Sequence, residues 1–82
     1  MVTSGTLAEL RSGQQAHIAQ IDPAIPELLR LRLRHLGFRP GTRVEVIRRA
    51  PFGGPSVYRL SDYDLCLRRE HARHVLLGEA AG

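Results

Sequence analysis

The chain has 82 residues, with 12 basic residues, all arginine, against 8 acidic ones and a formal charge of +4. A single domain of this length has too little interior for both a packed core and a deep substrate cavity, which weighs against a free-standing enzyme. Aromatics at 5% with no tryptophan leave little stacking surface for single-stranded nucleic acid, and the lack of lysine excludes a phosphate loop of the Gly-rich, Lys-Ser/Thr type.

The all-arginine cation set reads in two ways. It reflects genomic composition, since Ala, Gly and Leu are also abundant, or it serves an acidic partner, because guanidinium forks pair bidentately with carboxylates and phosphates. The lone cysteine, Cys66, has no internal disulfide partner, which suits a reducing cytoplasm. No stretch approaches the ~20 apolar residues of a membrane span.

In chain order, residues 1–6 are small and polar and are expected to be flexible, as are residues 79–82, leaving one folded domain over 7–78. Leu7 and Leu10 flank a short turn that ends at Gly13. From Gln15 to Ile21, Ala16, Ile18 and Ile21 oppose Gln15, His17 and Ala19, which predicts a first strand. Pro23 and Pro26 end it, and Pro26 is suited to open a helix because its missing N–H lies where helices leave donors unpaired. The helix is predicted from about Pro26 to Leu36. At 100° per residue Leu28, Leu29, Leu33 and Leu36 share the apolar arc, with Arg30 and Arg34 opposite. Arg32 falls inside that arc and either snorkels to its edge or meets a carboxylate.

Gly37 supplies a left-handed helix stop, Phe38 packs under it, and Pro40-Gly41 makes a tight turn. Thr42 to Arg49 then alternates around Val44 and Val46 as a second strand. Pro51 to Pro55 forms a loop with Phe52 at its tip, Ser56 to Leu60 a third strand, Ser61-Asp62 a hairpin turn, and Tyr63 to Arg68 a fourth strand. Arg69 to Arg73 reads as one helical turn and Val75 to Leu77 as a short last strand. The sum is a mainly β chain: a small, strongly bent barrel of about five strands, with one helix between strands 1 and 2.

The ordered set Leu7-x-x-Leu10-x-x-Gly13-x-x-Ala16-x-Ile18, Leu36-Gly37-Phe38-x-Pro40-Gly41-x-x-Val44-x-Val46, Ala50-Pro51-x-Gly53-x-Pro55 and Leu65-x-Leu67-Arg68 resembles a FeoA domain across nearly the whole folded length. The resemblance implies an SH3-like barrel. It also implies a small cytoplasmic, non-enzymatic accessory protein of bacterial ferrous iron transport, docking on and modulating the membrane Fe(II) transporter FeoB, whose own domain binds GTP. A related SH3-like module ends some metal-dependent repressors, so metal sensing is the alternative implied, with a nucleic-acid-binding barrel behind it. Three positions depart from the family pattern: Arg34 where a leucine is common, Asp62 where a turn glycine is usual, and Cys66 where alanine is common.

For partner contact, the candidates are Arg30 and Arg34 on the helix, Arg39 at the corner after it, and Phe52, which either anchors a partner or folds back over the barrel. Asp62 and Asp64, the closest acidic pair, read as solvated turn carboxylates, so no catalytic site is expected. For metal, His71 and His74 are three apart and are the first candidates for weak Fe(II) or other transition-metal binding, with Asp64 and Cys66 near in sequence and His17 and His35 behind. No tightly bound cofactor is expected, because no Cys-x-x-Cys or His-Glu-x-x-His spacing is present. Cys66, flanked by Leu65 and Leu67, is expected in the core.

Overall fold

The computed structural model describes residues 5–80. Its strands are β1 (Gln15–Ile21), β2 (Arg43–Arg48), β3 (Ser56–Leu60), β4 (Tyr63–Leu67) and β5 (Val75–Ala80), joined in one antiparallel sheet of order β4-β3-β2-β1-β5. Helix α1 (Glu27–Leu36) lies between β1 and β2, and the single turn α2 (Arg69–Ala72) between β4 and β5. The mainly β architecture read from the periodicity is thus the one found.

One face of every strand supplies the core: Ala16, Ile18 and Ile21 from β1, Val44 and Val46 from β2, Tyr58 and Leu60 from β3, Leu67 from β4, and Val75 and Leu77 from β5. Leu7, Ala8 and Leu10, around a 3-10 turn at Leu7–Glu9, Ile25, Leu33 and Phe38 before, in and after α1, and Ala72 of α2 complete it. The spacing of the β1 set, two residues and then three, has a physical cause. Ile18 pairs with Leu77 and Gln20 with Leu76, so Ala19 is surplus on β1. This bulge flips the alternation and turns Ile21, not Gln20, inward. A further irregularity between Leu77 and Ala80 on β5 and another between Val46 and Arg48 on β2 add local bend and twist.

Thr6 bridges Leu76, the Gly5 carbonyl accepts a hydrogen bond from the Leu77 N–H at 2.9 Å, and β5 continues to Ala80 rather than stopping at Leu77. Residues 1–4 and 81–82, also expected to be flexible, lie outside the described span.

Helix α1 ends as predicted. Gly37 has φ of +112°, its N–H donates to the Arg34 carbonyl at 3.0 Å, and the Phe38 N–H donates to the Leu33 carbonyl at 3.1 Å. This cap satisfies two carbonyls and drives Phe38 into full burial beside Leu33. It also fixes the rotation of the helix. Leu33 is buried and Leu29 packs partly against the core, but Leu28 is 83% exposed, and Leu31 and Leu36 sit at the boundary. The expected inward arc from Leu28 to Leu36 is therefore too wide by one edge: with Phe38 seated, Leu28 faces solvent. Arg32 is exposed and has no carboxylate partner among the described residues, which is the snorkelling alternative.

Cys66 is also corrected. Strand β4 is an edge strand whose inward positions are Leu65 and Leu67, and period two sends the intervening Cys66 outward, where its thiol is exposed.

Candidate functional site

Arg30 and Arg34 stand one helical turn apart on α1, and the turn after the helix carries Arg39 back toward them. That turn is well held: the Arg39 carbonyl accepts from the Thr42 N–H at 3.0 Å, Gly41 sits at φ +86°, and its N–H reaches the Ile18 carbonyl of β1 at 2.7 Å. The three guanidinium groups line one depression of about 250 Å³ with Ile21 and Pro40. Among the described residues no carboxylate pairs with any of them. Like charges held one turn apart repel by about 0.2–0.5 kcal/mol, so an anionic occupant relieves a strain that the free protein carries.

Phe52 does not join this groove. It occupies the 3-10 turn Pro51–Gly53 at φ 58°, ψ 32°, and is fully exposed, so it does not fold back over the barrel. A left-handed conformation costs a bulky L-residue about 1–2 kcal/mol. The loop base is fastened by the Ala50 N–H donating to Ser56 Oγ at 3.3 Å. The candidate contact residues thus fall on two surfaces.

His71 and His74 engage different neighbours. His71 Nε2 lies 3.9 Å from Glu70 Oε2, and His74 Nδ1 lies 3.7 Å from Asp22 Oδ2. Asp22 has structural work as well, its Oδ1 accepting from the Ala24 N–H at 2.9 Å to form the turn after β1. Cys66 and His71 share a groove with Leu29, Arg32 and Leu36 between α1 and β4. Among the described residues, no three or more His, Cys, Asp or Glu side chains are grouped to hold an ion, so the side chains present do not form a dedicated metal cage.

Asp64 is solvated and committed to an ion pair. Arg59 Nε donates to Asp64 Oδ1 at 2.7 Å and Arg59 Nη2 to Oδ2 at 3.2 Å, across the β3–β4 pair. This hydrogen bonding holds the Asp64 carboxyl below its ordinary range and raises the guanidinium. A carboxylate so held is a poor general base.

Two further features went unnoticed in the sequence. Arg49 is partly buried, donating to the Leu10 carbonyl at 2.5 Å and the Ala8 carbonyl at 2.6 Å, so that it ties the N-terminal turn to the end of β2. Nothing in a run of arginines distinguishes it. Arg68, Arg69 and Arg73 line a depression with Gly54, Pro55 and Glu70. Here a signal existed, since Arg69 and Arg73 recur at helical spacing.

These features define the chain as a small SH3-like barrel. Residues 5–77 match the FeoA domain, and the chain belongs to the FeoA family. It is 36% identical over 69 residues to the Fe(2+) transport protein A/Fe(2+) transporter FeoB fusion protein of Porphyromonas gingivalis, a match covering 84% of this chain and 8% of the fusion protein. The crystal structure of Stenotrophomonas maltophilia FeoA complexed with zinc, described as a prokaryotic SH3 domain protein, superposes with a TM-score of 0.77 at 28% identity, covering 90% of this chain and 89% of that one. A manganese-dependent transcriptional repressor shares the fold at 22% identity and a TM-score of 0.77, over 93% of this chain and 41% of the repressor. The family resemblance read from the ordered motifs is therefore correct. Among the described residues, no helix is long and apolar enough to cross a membrane.

Proposed function

We propose that this chain is a cytoplasmic accessory module of bacterial ferrous iron transport that docks on the membrane Fe(II) transporter FeoB and modulates its GTP cycle or assembly by contact. The observation that carries the reading is the Porphyromonas gingivalis protein, in which a related FeoA portion is continuous with FeoB. The groove of Arg30, Arg34 and Arg39 supports this role, because unpaired guanidinium groups attract acidic residues and speed encounter. Phe52 is the apolar anchor of the same reading.

The test is binding of the purified chain to the detergent-solubilised cognate transporter by biolayer interferometry, with and without GTP and Fe(II). Saturable binding that changes with nucleotide is expected, and Arg30→Glu with Arg34→Glu is expected to weaken it at least about tenfold. No binding under any condition would overturn the reading.

A second reading is weak transition-metal contact at His71 and His74, supported by the zinc complex of the Stenotrophomonas protein. With each imidazole beside its own carboxylate, any stabilisation by zinc is expected to be small and to vanish in His71→Ala with His74→Ala. A large rise in Tm with zinc in the unaltered chain, kept in that double variant, would rule out these two ligands.

A further inference from the structure

A surface depression of about 530 Å³ lies between the Gly54-Pro55 segment and α2 and is lined by Arg68, Arg69, Glu70 and Arg73. All four charged side chains are exposed, and among the described residues no carboxylate pairs with the three arginines; Glu70 lies beside His71 instead. Phe52 precedes Gly54 by two residues, which places its backbone within about 7 Å of the rim. We propose that this depression and Phe52 together form a binding site for an extended acidic protein segment bearing an apolar side chain. The site is separate from the groove of Arg30, Arg34 and Arg39.

Charge and shape select the occupant. Three unpartnered guanidinium groups present forks that match carboxylates bidentately, and Arg69 and Arg73 are spaced by one helical turn. An extended segment places side chains of one face about 7 Å apart, close to the ~6 Å rise from Arg69 to Arg73, so alternate carboxylates reach the two arginines. A lone exposed aromatic gives no platform for a run of stacked bases, which disfavours single-stranded nucleic acid. The depression is open, as a surface that receives a strand of chain should be, rather than enclosing a small molecule.

Preorganisation adds to this. The Ala50 N–H to Ser56 Oγ bond closes the base of the Phe52 loop, the Gly54 N–H reaches the Pro51 carbonyl at 3.4 Å, and Ser56 pairs with Leu67, which sets the loop exit next to Arg68. The backbone of Phe52 is therefore already held in the strained conformation that projects its ring. Binding then demands little further ordering of the loop.

The test uses the ¹⁵N-labelled full chain titrated at low salt with an acetylated Glu-Glu-Leu-Glu-Glu-Leu peptide. Amide shifts are expected at residues 52–54, 56 and 68–73. Arg69→Glu with Arg73→Glu should weaken binding at least about tenfold, and Phe52→Ser several-fold, in variants whose amide spectra stay dispersed. Three results would overturn the proposal: no shifts, shifts centred on Arg30, Arg34 and Arg39, or equal binding of sodium tripolyphosphate and of the peptide with serine for leucine. The last would reveal attraction for simple anions only. Because the transporter is not used, failure here is distinct from failure of the docking reading.

Discussion

The Tyr63 hydroxyl, at the start of β4, donates a hydrogen bond to the Leu36 carbonyl at the last residue of α1, joining the helix to an edge strand 27 positions away in sequence. The same hydroxyl fills the space that a side chain on Gly37 would occupy. Gly37 is thus required twice, by its φ of +112° and by the approach of Tyr63.

Tyr63→Phe is expected to cost about 0.5–1.5 kcal/mol, the worth of one hydrogen bond. Gly37→Ala should cost more than ~1 kcal/mol, since alanine is strained at this φ and its Cβ displaces Tyr63. In the Tyr63→Phe background the collision is relieved, so Gly37→Ala should be milder there. Urea denaturation of the four proteins measures the coupling; strict additivity would show that the approach of the hydroxyl does not constrain Gly37.

Arg49→Ala should destabilise the fold by about 1.5–3 kcal/mol, because it removes two charge-assisted hydrogen bonds and leaves the Ala8 and Leu10 carbonyls without that donor. Arg49→Lys can reach one carbonyl and should fall between. Equal midpoints for Arg49→Ala and the unaltered chain would show that the N-terminal turn holds without this tie.

The pH dependence has two arms. Burial holds the Tyr58 phenol above its ordinary value, against the opposing pull of Ser56, Arg49 and Arg69. The native state therefore favours the protonated phenol. That stability is complete below the unfolded value near ~10 and is lost as pH rises toward the folded value. On the acid side, hydrogen bonding from Arg59 lowers the Asp64 pKa, so its contribution is present above the unfolded carboxylate value and is lost as pH falls through the folded one. Solvent exposure keeps that second share small. Thermal melts across pH, with Tyr58→Phe as control, test the alkaline arm: the variant should lose part of the decline, and an unchanged decline would discharge Tyr58.

Cys66 should react with Ellman's reagent in the native protein at a rate similar to that in urea, because its thiol is exposed on an edge strand. Protection until unfolding would return it to the core.

That residue also shows where sequence reading stops. Period two along Leu65-Cys66-Leu67 determines that Cys66 opposes its neighbours, but its small apolar character pulls toward burial, and in a short edge strand alternation governs. Signals carried by backbone chemistry were readable: the Gly37 cap, the Pro40-Gly41 turn and the β3–β4 hairpin each depend on a few adjacent residues. The rotation of α1 was not, since it follows from where Phe38 seats in the core, and that is a tertiary matter. The candidate site divides in the same way. Helical spacing sufficed to pair Arg30 with Arg34, whereas the meeting of Gly54-Pro55 with Arg68, Arg69 and Arg73 depends on strand register across the hairpin.

The surplus Ala19 on β1 carries a last consequence. Removing it would leave every apolar residue of that strand in strict alternation, so the hydrophobic pattern would improve while the bend was lost. Curvature here is written in residue number rather than residue type. Substitutions at position 19 should be tolerated where a deletion is not.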